Sequence, residues 1–491
     1  MKLSNLLTKF EHTCLKGSVD TEVSHLVYDS RKVEKGDVFV CIKGAVRDSH
    51  DFARDAAQKG ASAIVAEKDL SEELKGLPVT LIVTEDTRQA LACMSCDYFA
   101  NPAQKLITIG ITGTVGKTTT TYMVKAILEE AGIPTGLIGT NETIIGDKHI
   151  PASNTTPESY VIQESFAQMA EAGLKCVVME VSSQGLKLKR TAGFTFDYGI
   201  FTNLSEDHIG PNEHRDFAEY LNCKALLFKQ CRTGIVNADD PYTEDILKGS
   251  TCKVETYGLK NPADYKASGL RLFKKPGVLG ITYDLTGKAD MKIEVDIPGR
   301  FSVYNSLTAI AICLHFTDDL SLIEEAMKKV QVQGRVEIVP SGKDFTVIID
   351  YAHNAKSLES LLLTLKEYEP LRLITVFGCG GNRSKVRRFE MGEVSSRLSD
   401  LTIVTSDNPR FEEPMDIIND ILTGVKKADG AFVTIPDRKE AIEYALDNAR
   451  TGDIIIIAGK GHEDYQEIKG VKHHFSDREV IEKHLIDQKT L

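Results

Sequence analysis

A glycine-rich segment of the chain has the residue types and spacing of a phosphate-binding loop. It reads Gly110-Ile111-Thr112-Gly113-Thr114-Val115-Gly116-Lys117-Thr118-Thr119, after a β-branched run at 106–111 and before a helical stretch at 121–131. Backbone N–H groups of such a turn converge on phosphates, and the helix N-terminus adds positive potential. We expect residues 113–119 to bind a nucleoside triphosphate, with Lys117 on the β- and γ-phosphates and the Thr118 hydroxyl on Mg²⁺.

The loop departs from the strict phosphate-loop pattern at one position. That pattern requires Gly at position 111, where this chain has Ile111, and the glycine stands at position 113 instead. A glycine-rich turn without a ligand is the alternative. The preceding strand, the Gly-Lys-Thr run and the following helix together favour the phosphate loop.

Two residues that can bind a metal ion follow other strands. Glu180 closes a buried run at 177–180, and His208 closes the segment Asn203-Leu204-Ser205-Glu206-Asp207-His208. Ligands of open α/β sheets bind beyond the carboxyl ends of parallel strands, so both side chains are expected near the phosphate loop. Carboxylate oxygens suit Mg²⁺, and an imidazole can join them. Each residue taken alone is more often structural.

The elements that must position these residues alternate along the chain. Short β-branched runs are separated by longer amphipathic stretches, which indicates βαβ units with parallel sheets. Breaks at 101–103 and 331–335 predict three domains, at residues 1–101, 102–332 and 333–491. The expected fold class is α/β: a smaller N-terminal α/β domain, a central domain with a P-loop-type parallel sheet, and a C-terminal doubly wound, Rossmann-like domain. Residues 251–298 are expected to form an antiparallel appendage.

Length and composition exclude several classes of protein. The 491 residues correspond to about three domains of ~150 residues. The hydrophobic fraction of 42% and charged fraction of 26% exclude a collagen-like, mucin-like or wholly disordered chain. A net charge of -12 disfavours a broad surface for nucleic acid or anionic membranes. With neither a signal peptide nor a membrane helix in the sequence, we expect a cytoplasmic, monomeric protein without membrane insertion.

The ten cysteines are too sparse and scattered for a disulfide scaffold. Cys93 and Cys96 form one close pair, but no second pair completes a zinc site. We therefore expect this pair to lie on one face of a helix over 87–99, with its thiols reduced.

Taken in order, these motifs resemble those of the Mur ligase family, the ATP-dependent amide ligases of bacterial cell-wall precursor synthesis. Residues 112–119 are similar to the family's TGTNGKTT loop, with Val115 where Asn is usual. Residues 203–208 resemble its N-L-x-x-D-H segment. The resemblance spans essentially the whole chain, and its later blocks are residues 220–228, Tyr304-Asn305, Gly334-Arg335, Asp350-Tyr351-Ala352-His353 and Phe377-Gly378-Cys379-Gly380-Gly381.

The resemblance implies ATP and Mg²⁺ as cofactors and a reaction in two steps. A substrate carboxylate attacks the γ-phosphate of ATP, and an amine then captures the acyl phosphate. The catalytic residues that it implies are Lys117, Glu180, His208 and Lys224. The implied nucleotide contacts are residues 113–119 with Asn305 and Arg335, and the implied metal ligands are Thr118, Glu180, His208 and Lys224.

Lys224 has an unusual role in this comparison. The corresponding lysine of the family is carbamylated by CO₂, so a carbamylated lysine is implied at Lys224. The adduct is an anion that can bind a second Mg²⁺. A solvated helix lysine is the alternative for this position.

Within the family, the chain is most similar to the MurE type, which adds the third residue of the peptide stem. Residues 27–31 and 36–40 resemble its uridine-binding domain, which implies Tyr28 and Ser30 as contacts. The implied muramoyl-peptide contacts are Asn154, Thr155, Thr156, Ser182 and Arg190. Two positions depart from the type: Leu188 replaces a usual Gln, and the loop at 209–214 differs from the common L-D-Y-H-G.

The last third of the chain is expected to bind the amino acid. Asp407-Asn408-Pro409-Arg410 follows a strand at 401–405 and resembles the DNPR motif of the meso-diaminopimelate-adding enzymes. Diaminopimelate has a second carboxylate that a guanidinium can pair with bidentately, whereas L-lysine has none. The other implied contacts are Arg388, Gly459 and Glu463. An ordinary Asx turn is the alternative for the tetrapeptide.

The resemblance thus implies an ATP-dependent ligase that adds meso-diaminopimelate to UDP-MurNAc-L-Ala-D-Glu during peptidoglycan synthesis, and with it roles in cell shape and cell division. One alternative keeps this chemistry with another amino acid, such as L-lysine, or another acceptor, such as a folate. Another is a nucleotide-binding protein without ligase activity. Arg410 argues against L-lysine, the uridine motif against folate, and the Glu180, His208 and Lys224 set against simple nucleotide binding. A dinucleotide loop at 378–382 is disfavoured because it lacks the third glycine.

Overall fold

The computed structural model describes residues 1–44, 47–210, 213–275 and 277–487. Pro211 and Asn212, in the loop that departs from the family pattern, lie outside these ranges. The chain forms two compact units, one of residues 1–264 with 308–318, and one of residues 265–307 with the chain from 319 onward. The division into three domains at 101 and 332 stays a prediction. Within the described ranges, no helix has the length and apolar character needed to cross a membrane.

The first hundred residues of the first unit form a five-stranded sheet. Its strands are β1 (Thr13–Lys16), β2 (Leu26–Val27), β3 (Val38–Val40), β4 (Ala63–Ala66) and β5 (Thr80–Val83), with helices α1 (Ala53–Gln58) and α2 (Thr87–Tyr98). The order is β1-β5-β4-β3-β2, and only β1 is antiparallel to its neighbour. Both β3 and β4 are buried along their whole length, as expected for parallel strands covered on both faces. Cys93 and Cys96 are buried on α2 and have free thiols.

The central part of the first unit is a mostly parallel sheet. Its strands are β6 (Ile107–Thr112), β7 (Thr135–Ile138), β8 (Glu142–Ile145), β9 (Lys148–Pro151), β10 (Cys176–Glu180), β11 (Phe196–Phe201), β12 (Cys231–Asn237) and β13 (Lys253–Gly258). The helices are α3 (Lys117–Glu130), α4 (Ser159–Glu171), α5 (Ser183–Lys187), α6 (Phe217–Lys229) and α7 (Thr243–Ile246). The strand order is β13-β12-β11-β6-β10-β7-β8-β9, with antiparallel pairing only at β7-β8-β9.

The middle of this sheet determines where the site can lie. β6 pairs in parallel with β10 on one side and β11 on the other, so all three strands end at the same edge. The phosphate-loop segment follows β6, Glu180 is the last residue of β10, and Asn203 comes two residues after β11. Parallel pairing therefore brings segments that are up to 90 residues apart in sequence to one edge.

The second unit contains three antiparallel strands and a doubly wound sheet. The antiparallel strands are β14 (Tyr265–Lys275), β15 (Val278–Gly287) and β16 (Met291–Val295). The other strands are β17 (Glu337–Val339), β18 (Thr346–Asp350), β19 (Leu373–Phe377), β20 (Leu401–Val404), β21 (Phe432–Thr434), β22 (Ile454–Ala458) and the hairpin β23 (Tyr465–Ile468) and β24 (Val471–His474). The helices are α8 (Arg300–Cys313, whose residues 308–313 belong to the first unit), α9 (Leu320–Lys329), α10 (Ala355–Lys366), α11 (Lys385–Leu398), α12 (Pro414–Val425), α13 (Arg438–Asp447) and α14 (Asp477–Asp487).

The doubly wound sheet has the order β17-β18-β22-β19-β20-β21. Only β17 is antiparallel to its neighbour. Its central strand β22 is buried throughout and is a run of four isoleucines and an alanine. The α/β fold class is confirmed, including the parallel central sheet and the Rossmann-like C-terminal sheet.

One part of the predicted antiparallel appendage at 251–298 is wrong. β14, β15 and β16 are antiparallel, but β13 runs parallel to β12 and extends the central sheet. The chain crosses over between β12 and β13 through α7, a connection long enough to return the chain in the same direction. The three short strands at β7, β8 and β9 were not predicted from the sequence.

We predict that Gly424→Ala destabilises the second unit, because α11 and α12 meet there backbone to backbone. A Cβ at Gly424 would lie 1.9 Å from the Phe389 carbonyl oxygen, and the helices would have to separate. Overpacking of this kind costs about 1–3 kcal/mol in the free energy of unfolding. Denaturant unfolding of the variant measures it. The neighbouring exposed substitution Thr423→Ala serves as control and should change stability by less than about 0.5 kcal/mol; equal effects of the two would contradict this account of the contact.

Candidate active site

The segment 113–116 forms a tight turn between β6 and α3. Gly113 has a φ of +153°, and a Cβ there would lie 1.9 Å from the Thr202 hydroxyl oxygen. Gly116 has a φ of +89° and precedes the first residue of α3, a helix of 14 residues. Glycine is thus required at 113 for close approach to the strand beside it and at 116 for the left-handed backbone.

The side chain of Asn203 binds the backbone of Val115, at the tip of this loop, through two hydrogen bonds. Its Oδ1 accepts a hydrogen bond from the Val115 N–H at 3.0 Å, and its Nδ2 donates to the Val115 carbonyl at 2.9 Å. The Thr202 hydroxyl donates to the same carbonyl at 2.8 Å. The Val115 side chain itself is 62% exposed. Residue 115 is therefore held by its backbone, so the fold does not need the polar side chain that is usual at this position.

Two lysine ammonium groups converge on the carbonyl of Gly113. Lys117 Nζ lies 3.0 Å from that oxygen and 3.1 Å from the Thr114 oxygen, while Lys224 Nζ lies 2.8 Å from Gly113 O. Thr118 and Thr119 are buried in the first turn of α3. The loop, the helix N-terminus and Lys117 together fit a triphosphate, because they offer glycine-permitted backbone approach and positive charge in one place.

Lys224 is enclosed by protein. Its side chain is 1% exposed, and its ammonium lies 4.6 Å from the centre of the Tyr220 ring. Burial, followed by the nearby Lys117 charge, lowers the pKa of Lys224 well below that of an ordinary lysine. The alternative that Lys224 is a solvated lysine on a helix surface is therefore wrong. Its environment favours a neutral amine.

Tyr220 was not singled out in the sequence, yet it joins three parts of the site. Its hydroxyl lies 3.1 Å from the Thr114 hydroxyl, and its ring lies 6.0 Å from that of His208. It precedes Lys224 by four residues on α6, so both side chains share one helix face. That i, i+4 spacing is the signal that could have found it.

Glu180 sits at the end of β10 with its carboxylate pointing at the loop after β7. Its Oε1 accepts from the Thr140 N–H at 2.8 Å and its Oε2 from the Thr140 hydroxyl at 3.1 Å. The Thr140 hydroxyl also lies 3.0 Å from that of Thr155, and Thr156 donates to the Glu180 carbonyl at 2.9 Å. Thr155 and Thr156 are thereby brought to Glu180. Asn154 is exposed beside them.

His208 has a φ of +55°, and its imidazole is half exposed. Its Nδ1 lies 3.3 Å from a Glu213 carboxylate oxygen. In the described ranges, no three His, Cys, Asp or Glu side chains form a group that could hold a metal ion by themselves. Magnesium ligation by Thr118, Glu180 and His208 stays a prediction.

Ser182 and Arg190 lie on the far side of Glu180, around α5. The Ser182 hydroxyl caps α5 by accepting from the Gly185 N–H, and its own N–H donates to Thr156 at 2.9 Å. Arg190 donates to the Thr156 carbonyl at 2.9 Å and to Glu158 at 3.0 Å. Arg88 approaches the same Glu158 carboxylate at 3.3 Å. Two guanidinium groups thus share one carboxylate beside Thr156.

The residues predicted to bind uridine lie in the N-terminal sheet region. Tyr28 follows β2, and its ring lies 5.8 Å from that of Tyr160. Burial and the Glu158 charge raise the pKa of Tyr28. Ser30 begins a short 3-10 helix that Asp29 caps, and Arg31 holds the pKa of Asp29 at about 2.

Part of the predicted nucleotide contacts lies in the second unit. Arg335 stacks over the Tyr351 ring at 4.7 Å, and its Nε is buried with no hydrogen-bond partner among the described residues. Asp350, at the end of β18, accepts from the N–H groups of Val336 and Ala352. Asn305 is buried on α8. A buried guanidinium nitrogen without a partner fits a residue that binds an anionic ligand.

The DNPR segment follows β20 and meets the loop after β22. Asn408 donates to Glu463 at 2.8 Å, and the buried Lys460 lies 3.3 Å from Asn408. A Cβ at Gly459 would lie 2.7 Å from an Asp407 carboxylate oxygen, and a Cβ at Gly381 would lie 1.9 Å from the Pro409 carbonyl oxygen. The structure therefore brings residues 407–410, Gly459 and Glu463 together. The alternative, that residues 407–410 are only an ordinary Asx turn, does not account for these contacts.

The two arginines predicted for this region differ in environment. Arg410 has a φ of +53°, and its guanidinium donates to the Gly381 carbonyl at 2.7 Å and to Glu467 at 3.2 Å. Arg388 is 1% exposed, with its two terminal nitrogens bound to Glu412 and Asp420 at 2.8 to 2.9 Å. It lowers the pKa of Glu412 to about 2. A direct substrate contact by Arg388 stays a prediction.

Three family models match successive parts of the chain. They are the Mur ligase family catalytic domain over residues 22–99, the Mur ligase middle domain over 111–313, and the Mur ligase glutamate ligase domain over 334–461. The chain belongs to the Mur ligase family.

Individual family members are similar over their full length. The Clostridium perfringens protein named UDP-N-acetylmuramoyl-L-alanyl-D-glutamate--2,6-diaminopimelate ligase is 43% identical over 488 residues, which cover 98% of this chain and 99% of that protein. The Bacillus licheniformis protein of the same name is 40% identical and covered completely, as is this chain. A solved structure of a ligase with that name has 28% identity and a TM-score of 0.72 over 100% of this chain and 99% of its own.

More distant Mur ligases share the fold. The Thermotoga maritima MurF ligase in complex with ADP has 17% identity and a TM-score of 0.61, over 96% of this chain and 99% of that one. As a Mur ligase, the present protein is an ATP-dependent amide ligase.

We predict that Asn203→Ala weakens ATP binding, because it releases residue 115 of the phosphate loop. The loss of two backbone hydrogen bonds should raise the Kd for ATP about 5- to 30-fold. Isothermal titration with ATP measures this. Thr202→Val removes only one of two donors to the Val115 carbonyl and should raise the Kd for ATP less. A larger increase for Thr202→Val than for Asn203→Ala would contradict the role given to Asn203.

Proposed function

We propose that this protein joins meso-diaminopimelate to the D-glutamate carboxylate of UDP-MurNAc-L-Ala-D-Glu, with conversion of ATP to ADP and phosphate, in peptidoglycan precursor synthesis. The observation that carries the proposal is the DNPR segment at the carboxyl edge of the second sheet, where Asp407 approaches Gly459, Asn408 binds Glu463 and Arg410 binds the Gly381 carbonyl. The proposal includes UDP binding by residues 1–101, ATP binding by 102–332 and amino-acid binding by 333–491. It describes a monomeric, cytoplasmic enzyme.

The first step joins two anions. An oxygen of the substrate carboxylate attacks the γ-phosphorus, the bond to the bridging oxygen breaks, and ADP leaves. Lys117 and the N–H groups at the start of α3 stabilise the phosphate charge. In the second step, the neutral amine attacks the acyl carbon, phosphate leaves with the electron pair of the broken C–O bond, and the amine loses a proton. A free carboxylate is a poor acylating agent, so the phosphorylation provides the leaving group.

Magnesium fits the oxygen atoms available at this edge of the sheet. Thr118 and Glu180 supply a hydroxyl and a carboxylate, and His208 supplies one imidazole. Because Mg²⁺ usually binds through few protein ligands together with substrate phosphates and water, a site without a complete protein cage is consistent with it. Bound there, it would neutralise charge between the triphosphate and the carboxylate.

The acceptor would extend from the N-terminal sheet to Glu180. Tyr28 and Ser30 would contact the uridine, and the muramoyl peptide would lie along Asn154, Thr155, Thr156, Ser182 and Arg190. Arg88 and Arg190 both bind Glu158 beside Thr156. These guanidinium groups would attract an anionic peptide. Asn305 and Arg335 would complete the nucleotide contacts.

The amino-acid site in this proposal uses a positive charge to select its substrate. Arg410 would bind the distal carboxylate of diaminopimelate, a group that L-lysine lacks. Asp407, Asn408, Pro409, Gly459 and Glu463 would surround the rest of the molecule. Arg388, which binds Glu412, would be a second contact of the amino acid.

We expect that phosphate release from ATP requires both UDP-MurNAc-L-Ala-D-Glu and meso-diaminopimelate. Release with L-lysine alone as the amine would contradict the specificity, and release independent of both would contradict ligase function.

Arg410→Ala should raise the KM for meso-diaminopimelate at least about 10-fold, while the KM for ATP changes by less than about 2-fold. Arg397→Ala, which removes a half-exposed arginine on α11, is the control. Equal increases in both KM values would contradict the role of Arg410.

We further propose that the amine of Lys224 adds to the carbon of CO₂, loses one proton and becomes a carbamate. Because the pKa of Lys224 is lowered, the neutral amine persists at a pH where exposed lysines are protonated. Carbamylation is therefore expected near neutral pH and is lost on acidification. The resulting anion could hold a second Mg²⁺.

Labelling with ¹³CO₂ tests this directly. A carbamate carbon resonance is expected in the parent protein and is expected to be missing in Lys224→Ala, with activity reduced about 100-fold or more. Lys229→Ala on the exposed side of the same helix should keep both the resonance and the activity. A fully active protein without the resonance would contradict the modification.

A further inference from the structure

The second unit contains a fully buried ion pair that the proposed chemistry does not use. Arg438 is the first residue of α13 and Asp477 the first residue of α14, and both side chains are 0% exposed. Arg438 Nε and Nη2 donate to the two Asp477 oxygens, each at 2.7 Å. The pair has bidentate geometry, which fixes the plane of the guanidinium.

The same guanidinium reaches the bases of two loops of the amino-acid site. Its Nη2 donates to the Ala458 carbonyl at 3.1 Å, and its Nη1 donates to the Ser406 carbonyl at 3.5 Å. Ala458 immediately precedes Gly459, and Ser406 immediately precedes Asp407. One side chain thus binds both segments just before they become the proposed site.

Strand pairing does not connect the segment at Ser406 with the segment at Ala458. In the sheet, β19 lies between β20 and β22, so the ends of β20 and β22 are not hydrogen-bonded to each other. The segment after β20 approaches the end of β19 closely, since a Cβ at Gly378 would lie 2.5 Å from the Thr405 carbonyl oxygen. Arg438 therefore spans a gap of one strand at the edge where the loops leave the sheet.

The loops themselves tolerate little change in spacing. Asn408 and Glu463 are 2.8 Å apart, and Lys460 lies 3.3 Å from Asn408 and 3.4 Å from Glu463. A shift of about 1 Å at the loop bases would break these contacts and would weaken the binding of a substrate that both loops hold. Since desolvation offsets much of the attraction in a buried ion pair, stability alone is a weak reason for this arrangement.

We propose that Arg438, held by Asp477, is a positioning residue that sets the distance between the loop at 407–410 and the loop at 459–463, and so keeps the amino-acid site ready for its substrate. The identity of that substrate rests on the proposed function. The effect of Arg438 on the spacing of the two loops does not depend on the proposed function.

The opposite edge of the same sheet provides a matched control. Arg372 donates to both carboxylate oxygens of Asp453, whose side chain is also 0% exposed. These residues precede β19 and β22, so the pair has the same chemistry at the amino ends of the strands. Disrupting it should affect stability without moving the loops.

The experiment compares two double variants of the full chain, Arg438→Met with Asp477→Leu and Arg372→Met with Asp453→Leu. Apolar replacement of both partners leaves neither Arg438 nor Asp477 as an unpaired buried charge. Hydrogen–deuterium exchange of residues 405–410 and 458–464 should rise in the first variant and stay unchanged in the second. The KM for meso-diaminopimelate should rise at least about 10-fold in the first variant only, with the KM for ATP within about 2-fold and kcat less affected.

Unchanged exchange in either loop of the first variant, or equal loop effects in both variants, would overturn the proposal. If the first variant does not fold, Arg438→Lys takes its place, since an ammonium can pair with Asp477 but cannot span both carbonyls in the same plane; the same readouts then decide. If the parent protein does not use meso-diaminopimelate, the proposed function fails, and exchange alone still tests the spacing.

Discussion

The structure depends on one geometric constraint, the shared carboxyl edge of parallel strands. In the first unit, β6, β10 and β11 end together and bring the phosphate loop, Glu180 and Asn203 to one place. In the second unit, β20 and β22 end at one edge and bring Asp407 and Gly459 together. Chemistry that draws on residues far apart in sequence needs such an edge, because no single loop could supply all the groups.

The two lysines beside the phosphate loop, Lys117 and Lys224, differ in how deeply they are buried. Lys117 and Lys224 both bind the Gly113 carbonyl, yet Lys224 is the more deeply buried and has its pKa lowered. The nearby Lys117 charge disfavours a positive charge on Lys224. A neutral amine is the form that the proposed carbamylation requires.

In the second unit, guanidinium groups mostly order the loops. The terminal nitrogens of Arg388 bind Glu412 and Asp420, and Arg438 binds Asp477. Arg410 differs, since its side chain is 24% exposed and pairs with Glu467 less closely, at 3.2 Å. This difference in burial is consistent with the role proposed for Arg410, the binding of an external carboxylate.

The sequence alone was sufficient to predict the α/β class, the family and a glycine-rich turn between a strand and a helix, because strand periodicity, Gly-Lys-Thr spacing and ordered motifs are local properties. It did not determine that Asn203 clasps Val115, that Tyr220 joins Thr114 to His208, or that Arg438 spans two loop bases. It also misplaced β13, whose direction depends on the crossover through α7. Such contacts join residues far apart along the chain, and only strand register and the depth of burial decide which side chains meet and which charges are suppressed.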